Sequence, residues 1–192
     1  MIKLDQHLRA HFQLTASETA EICSYFKPEH LKKKEYFLFA GSRCRKIAFI
    51  QEGVMRNYEI NPDGNEVVKY MTSDGDFNTV YKYFNSQEPC KEYIQAVTDC
   101  ELVVIDRRDF FQLKDNSNKF RDFVDKLVID GLACKEERLK SYLTQDAQRR
   151  YENLSDRQPK IIQYAPLQYI ASYLGITRET LSRIRNRRTV RA

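Results

Sequence analysis

Apolar positions along this 192-residue chain change period twice. The first helical pattern is "LTASETAEICSYFK", residues 14–27, where Leu14, Ile22, Tyr25 and Phe26 supply an apolar face. Thr15 and Glu18 form an S/T-x-x-E capping box, which satisfies two orphan backbone donors at a helix start. Pro28 is expected to end that helix. From Leu31 to about Leu113 the period shortens to that of strands. "EYFLFAG", "KIAFIQEG", "VMRNYEI", "EVVKYMTSDG", "YIQAVTD" and "CELVVIDR" are short runs rich in β-branched and aromatic residues, separated by turn signals. "NPDG" at 61–64 predicts a hairpin, with Pro62 fixing φ and Gly64 able to take φ > 0. Short strands with regular turns predict a small antiparallel sandwich or barrel.

After "RRDFFQL" the helical period returns. Residues 117–143 hold Phe120, Val124, Leu127, Val128, Leu132, Leu139 and Leu143 at helical spacing. Such a stripe suits a dimer seam or, equally legibly, a single core helix. Gly131 in its interior costs up to ~1 kcal/mol, and a close helix–helix approach is one reason to keep it. Thr144 is expected to restart a helix, "TQDAQRRYENLSDR", that stops before Pro159.

Residues 166–188 meet the packing needs of a helix-turn-helix. Pro166 suits the first helical position. Ile170 and Ala171 point inward, and Ala171 is small enough for a close crossing. Leu174 packs, Gly175 can end the helix in the left-handed conformation, and Ile176 plugs the turn. Thr177 caps the second helix, whose inward stripe is Leu181 and Ile184. Its outer face then shows Arg178, Glu179, Ser182, Arg183 and Asn186, side chains able to read base edges.

Charge sharpens that picture. From Arg178 onward six arginines (178, 183, 185, 187, 188 and 191) face one acid, Glu179, a surplus of +5. The whole chain also carries +5, so residues 1–177 balance to zero. A cationic cluster on an otherwise neutral protein points to nucleic acid, with the remaining arginines, Arg187 among them, suited to phosphates. Five scattered cysteines without a C-x-x-C pair suit a reducing cytoplasm better than a disulfide framework or a metal cluster. His7 and His11 lie four apart but lack a third ligand, so no metal and no cofactor is expected. No apolar run approaches a membrane span, and "MIKLDQHLRAHFQL" lacks the apolar core of a secretory signal. Nothing resembles a catalytic set: there is no Walker-type loop, and the three histidines all precede residue 31.

A β-rich region, a long amphipathic helix and then "IASYLGITRETLSRIR" closely resemble the Crp/Fnr family of bacterial transcription regulators. "LKKKEYFLFAGSRCRKIAFIQEGVMRNYEINPDGNEVVKYMTSDGDF" at 31–77 is similar to that family's cyclic-nucleotide-binding β-roll, and "AVTDCELVVIDRRDF" at 96–110 to its closing strands. The resemblance implies an α+β fold. A cupin-like antiparallel β-roll with flanking helices would span 1–115, a dimerisation helix 116–143, and an all-α helix-turn-helix domain 144–192. The R-E-T-x-S-R run implies that Arg178, Glu179, Ser182 and Arg183 read the major groove, with Thr177 or Thr180 on phosphate. It further implies a homodimer on palindromic double-stranded DNA with a TGA-like half-site, half-sites about one helical turn apart, and RNA polymerase as a further partner.

Two departures qualify the resemblance. Cyclic-nucleotide-binding members carry a Gly-Glu pair after G-D-F and an Arg-Ser or Arg-Ala pair further on. Here those positions are Thr79-Val80 and Cys90-Lys91, so both polar anchors are replaced. Cyclic AMP is not the expected effector, and Tyr81, Tyr83, Phe84 and Tyr93 are expected to fill the space; an unknown small molecule, or none, takes its place. Cys90 invites a redox role, with a small semi-buried residue as the plainer alternative. The "RNRRTVRA" ending is expected to replace most of the usual β-hairpin wing. Two other readings stay open: a protein–protein adaptor with a relic helix-turn-helix, and a cyclic-nucleotide-responsive regulator with a non-standard pocket.

Overall fold

The computed structural model describes residues 3–12 and 14–189. Two short helices, α1 (Leu4–Phe12) and α2 (Ala16–Ser24), precede the sheets. The capping box at the start of α2 is complete: the Glu18 N–H donates to Thr15 Oγ1 at 3.3 Å and the Thr15 N–H to Glu18 Oε2 at 2.8 Å. Pro28 does not end this helix. It closes at Ser24, and Pro28 lies inside strand β1 (Lys27–Leu31). β1 is at the edge of its sheet, paired with β8 alone, which is where a residue without an N–H is tolerated.

The remaining strands are β2 (Tyr36–Leu38), β3 (Lys46–Glu52), β4 (Met55–Ile60), β5 (Glu66–Thr72), β6 (Phe77–Asn78), β7 (Tyr93–Ala96) and β8 (Cys100–Asp106). They form two four-stranded antiparallel sheets, in the orders β1-β8-β3-β6 and β2-β7-β4-β5. Each expected strand is present, and the fold is mixed α+β. Only the two-residue β6 and β1 carried too little pattern to be read. The β4–β5 hairpin turns at Asn61–Asn65, with Gly64 at φ +83° and its N–H on the Asn61 carbonyl.

Between and beyond the sheets lie α3 (Tyr81–Ser86), α4 (Arg107–Asn116) and α5 (Asn118–Thr144). Phe49, Ile50, Phe84, Ile94, Leu102 and Ile105 of the sheets and α3 are buried in one core with Phe110, Leu113 and Phe120 of α4 and α5. Edge-to-face rings carry that core across the elements: Phe84 meets Phe110 at 5.1 Å and Phe110 meets Phe120 at 5.4 Å. Ser117 caps α5 by accepting the Phe120 N–H. The helix runs through Thr144 rather than restarting there; Asp146 caps the next one, α6 (Ala147–Arg157), by accepting the Arg149 N–H at 2.8 Å. Then come α7 (Pro159–Tyr164), α8 (Leu167–Leu174) and α9 (Arg178–Thr189). Pro166 is extended at φ −55°, ψ 141°, so it stands one place before α8 rather than within it.

His7 of α1 packs on Phe49 at 5.0 Å and faces His11 at 4.6 Å. Burial, then the neighbouring His11 charge, lowers its pKa from 6.5 to about 4. Because the unfolded chain binds that proton more readily, the contribution to stability is present above pH 6.5 and lost as pH falls toward 4. Urea denaturation across that window is expected to show a smaller loss for His7→Gln than for the unchanged chain.

Candidate nucleic-acid interface

The last two helices, α8 and α9, pack on one another across a tight turn. Gly175 takes the left-handed conformation at φ +66°, and the Ile176 N–H reaches back to the Ala171 carbonyl at 3.0 Å, closing α8. Arg150 of α6 adds a cation there, its Nε donating to the Leu174 carbonyl at 3.3 Å. Thr177 caps α9, accepting the Thr180 N–H at 3.2 Å. Ile170, Ala171, Leu174 and Leu181 are buried in one cluster, and Ile176 and Ile184 pack against it. Only small or branched apolar side chains at these positions allow the two helices to cross.

The structure brings the expected reading residues together on one surface. Thr177, Arg178, Glu179, Ser182, Arg183, Asn186 and Arg187 are exposed, and Thr180 is half-buried beneath them. Bonds from its own N–H and from Thr177 hold the Glu179 carboxyl below its usual range, so it stands ionised as an acceptor. The side chain of Arg188 and the whole of Arg191, together with the expected wing replacement, lie outside the described residues.

This unit does not hang free; it is docked on the sheet β2-β7-β4-β5. Arg56 of β4 is 2% exposed and is the largest fully buried side chain. Its guanidinium donates to Gln95 Oε1 from Nε (3.0 Å) and Nη2 (2.7 Å), and pairs with both oxygens of Glu66. One face lies on the Tyr58 ring at 4.0 Å and the other on Tyr169 of α8 at 3.6 Å. Around it, the Val68 N–H on the open edge of β5 donates to Ser172 Oγ of α8 at 2.9 Å. Ser73 Oγ donates to Gln158 Oε1 at 2.6 Å, and Lys160 pairs with Asp74. From α5, Arg138 and the Tyr142 hydroxyl both donate to the Tyr173 carbonyl.

Between the roll and α5 lies a cavity of about 970 Å³. It is open rather than filled: Tyr81 and Tyr83 line it, but Phe84 is in the core and Tyr93 stacks on Tyr58 at 5.0 Å. Of the four residues named for the effector site, two line the cavity. Thr79 and Val80 reach the wall, the Thr79 hydroxyl donating to the Lys46 carbonyl at 3.0 Å. Cys90 is buried away from the cavity, and Lys91 is exposed outside it. The wall instead carries Lys69, held by Glu59 and Glu92, together with Arg138 and Asp76, whose carboxyl burial raises above its usual range. Burial pushes the Cys90 thiol up to about 11, which keeps it protonated and unreactive at neutral pH. All five cysteines are free, and no group of three metal-ligating side chains occurs among the described residues.

Arg56 and Arg138 are the residues the sequence reading missed. Arg56 interrupts the apolar run of "VMRNYEI", and Arg138 continues the Phe120, Val124, Leu127, Gly131, Cys134 stripe. A charge at an apolar-face position was the available signal in both. Gly131 has open space where a Cβ would sit, so no close helix approach within the chain explains it.

Several solved structures share this fold at low sequence identity. FixK2 from Bradyrhizobium japonicum superposes with a TM-score of 0.73 at 15% identity, over 86% of this chain and 85% of that one. The Thermus thermophilus catabolite activator protein gives 0.60 at 18% identity, over 94% and 85%. A transcriptional regulator of the Crp/Fnr family from Eubacterium rectale gives 0.68 at 17%, over 93% and 85%. Residues 28–117 match the cyclic nucleotide-binding domain family model. No curated protein matches the chain in sequence. No helix among the described residues is long and apolar enough to cross a membrane.

Two substitutions probe the docked unit. Removing the buried guanidinium in Arg56→Met leaves Gln95 and Tyr169 without their partner, while Glu66 keeps access to water; urea denaturation is expected to show a loss of about 2–3 kcal/mol. In Gly175→Ala the new Cβ would stand 3.1 Å from Tyr142 Cε1 in a left-handed backbone. The same measurement is expected to give a loss of about 1–2 kcal/mol.

Proposed function

We propose that this chain is a sequence-specific DNA-binding transcription regulator that acts as a homodimer on a palindromic site and is not controlled by cyclic AMP. The observation that carries this reading is the exposed row Arg178, Glu179, Ser182, Arg183 and Asn186 on a helix seated by buried Leu181. Arginine can bind guanine through two hydrogen bonds and an ionised glutamate accepts from cytosine N4, so this row has the chemistry to discriminate base pairs. Arg183 reads the guanine of a TGA-like half-site, and Thr177, Thr180 and Arg187 hold phosphates.

Dimerisation is supported by the other face of α5. Ile129, Leu132, Leu139 and Leu143 are 64%, 61%, 62% and 80% exposed. Their spacing of three, seven and four residues is that of a two-helix seam. Thr79 and Val80 on the cavity wall offer neither the carboxylate nor the guanidinium that would anchor a cyclic nucleotide's ribose and phosphate, which supports independence from cyclic AMP.

Selection of random duplex DNA by the purified protein, without added effector, tests the reading; a palindrome with TGA-like half-sites is the expected product. Enrichment of no sequence, with or without cell extract, would instead favour an adaptor. On the selected site Arg183→Ala is expected to cost ~1–3 kcal/mol and to relax specificity at one base pair. A uniform loss across all sequences would remove the base-contact assignment. Replacing Leu132 and Leu139 with Glu is expected to give a monomer in sedimentation analysis, with DNA affinity reduced accordingly.

A further inference from the structure

Gly131 stands midway along α5, where glycine is the poorest helix former after proline. A Cβ built there meets nothing within 4 Å, so no contact inside the chain asks for a glycine. The residue belongs instead to the wall of the cavity between the roll and α5, two turns after Val124 on the same helix face. A side chain at this place would take up space along that wall, and the glycine leaves it free.

At about 970 Å³ the cavity has the size of a small-molecule site. Its apolar part is built of rings: Phe12 meets Phe123 edge-on at 4.5 Å, and Phe77 meets Phe123 at 5.6 Å. Its polar part lies on β4, β5 and the turn before β6. Asn57 pairs with Tyr70 across β4 and β5, and both line the cavity with Asp76. Asn57 is 2% exposed, and its Oδ1 accepts from Asn78 Nδ2 at 2.9 Å, so its own Nδ2 is the group left to donate. Beside it Asn78 Oδ1 is buried without a partner. Asp76 receives the Ser73 N–H at 2.8 Å and Gln158 Nε2 at 3.2 Å, both on Oδ2. Its Oδ1 accepts from none of the described residues, and the charge its carboxyl feels is that of another acid, Asp74. Burial, then the neighbouring Cys134 and Asp76, push the Tyr70 hydroxyl up, so it stays uncharged.

The cations of the cavity are already engaged. Lys69 is held between Glu59 and Glu92, at 3.2 Å from each. Arg138 donates to the carbonyls of Lys69 and Tyr173 and to the Tyr142 hydroxyl. Lys126 donates to the His11 carbonyl at 3.1 Å and stands over the Phe12 ring. Lys82 and Lys135 are exposed, where water and salt screen them. At the polar part, Lys69 and Arg138 face three acids, Glu59, Glu92 and Asp76, so an anion would meet a net negative charge there.

Resting on the independence from cyclic AMP proposed above, we propose that this cavity binds an uncharged small molecule with an aromatic body and a hydroxyl or amide head. The head accepts from Asn57 Nδ2 and donates to Asp76 Oδ1, and the body lies among Phe12, Phe77 and Phe123 and along Gly131. A molecule without that head leaves both buried groups unpaired, and a molecule with an anionic head sets two carboxylates against one another. Sites built around buried polar groups discriminate strongly in this way.

The test uses three molecules that share one ring system and differ in the head: β-naphthol, naphthalene and β-naphthoate. Each is measured by equilibrium dialysis against the full chain at neutral pH, where the naphthol keeps its proton. β-Naphthol is expected to bind saturably, one per chain, and about tenfold more tightly than either of the others. Gly131→Leu, which fills the wall without a clash, is expected to weaken that binding by about tenfold or more. Asp76→Asn keeps an oxygen for Ser73 and Gln158 but loses the second acceptor. It is expected to remove most of the advantage of β-naphthol over naphthalene while naphthalene itself binds as before. Thermal denaturation and sedimentation check that fold and association are unchanged; if Gly131→Leu alters either, Asp76→Asn carries the test. Equal affinity for β-naphthoate, an unaltered head preference in Asp76→Asn, or no saturable binding of β-naphthol would overturn the proposal. Displacement of bound β-naphthol by an equal concentration of cyclic AMP would remove the independence from cyclic AMP itself, and this proposal with it.

Discussion

The arrangement of this molecule depends on a single buried guanidinium. Arg56 is taken out of water in the middle of a β-strand, which is affordable only because every face of it is occupied. Gln95 and Glu66 accept its protons in the plane, and Tyr58 and Tyr169 cover it above and below. Three of those partners belong to the sheet and one to α8. The same residue that satisfies the sheet's interior polarity therefore fixes the first helix of the α8–α9 unit. A hydrophobic residue at that place could pack against Tyr169, yet it would not set the rotation of α8, because apolar contact is non-directional.

Once α8 is seated by that stack, the surrounding contacts acquire their positions. Ser172 meets the open N–H of Val68 and so blunts an edge that would otherwise be available to another strand. Gln158 bonds both Ser73 and Asp76, and Asp76 is also part of the cavity wall. Arg138 belongs to the wall as well and donates to Tyr173 of α8. The cavity wall and the α8–α9 unit are thus joined by a direct hydrogen bond.

Local signals made much of this legible before any coordinates. The capping box at Thr15 and Glu18, the hairpin at Asn61–Asn65 and the Gly175 turn are each written in a few adjacent residues, and each formed as read. The period change from two to 3.6 located the roll and α5. What could not be read depends on contacts between distant segments. Pro28 breaks a helix in isolation but is harmless on an edge strand, and nothing near it in sequence says that β8 will lie alongside. The docking of α8 on β5 joins residues about a hundred positions apart, as Ser172 and Val68 are. The make-up of the cavity wall is of the same kind: Lys69, Glu92 and Arg138 reach it from β5, the stretch before β7 and α5, and no local pattern joins those three segments.

The long helix carries the remaining constraint. At 27 residues and 1.5 Å per residue, α5 is ~40 Å long, yet its buried side chains, Phe120, Phe123 and Val124, all fall in its first two turns. Beyond them one stripe turns inward as Gly131, Cys134, Arg138 and Tyr142, lining the cavity and reaching α8. The neighbouring stripe, Ile129, Leu132, Leu139 and Leu143, stays exposed at the rim, with Leu132 and Leu139 also lining the cavity. Each such side chain forgoes about 1.5–3 kcal/mol that burial would return, and an isolated helical stretch of this length is marginal in water on propensity alone. A second copy laid along that stripe would cover it, and would also close the open side of the cavity that the inward stripe lines. In the dimer proposed above, the same helix would join two α8–α9 units at a fixed separation, matching the two-fold symmetry proposed for the DNA site.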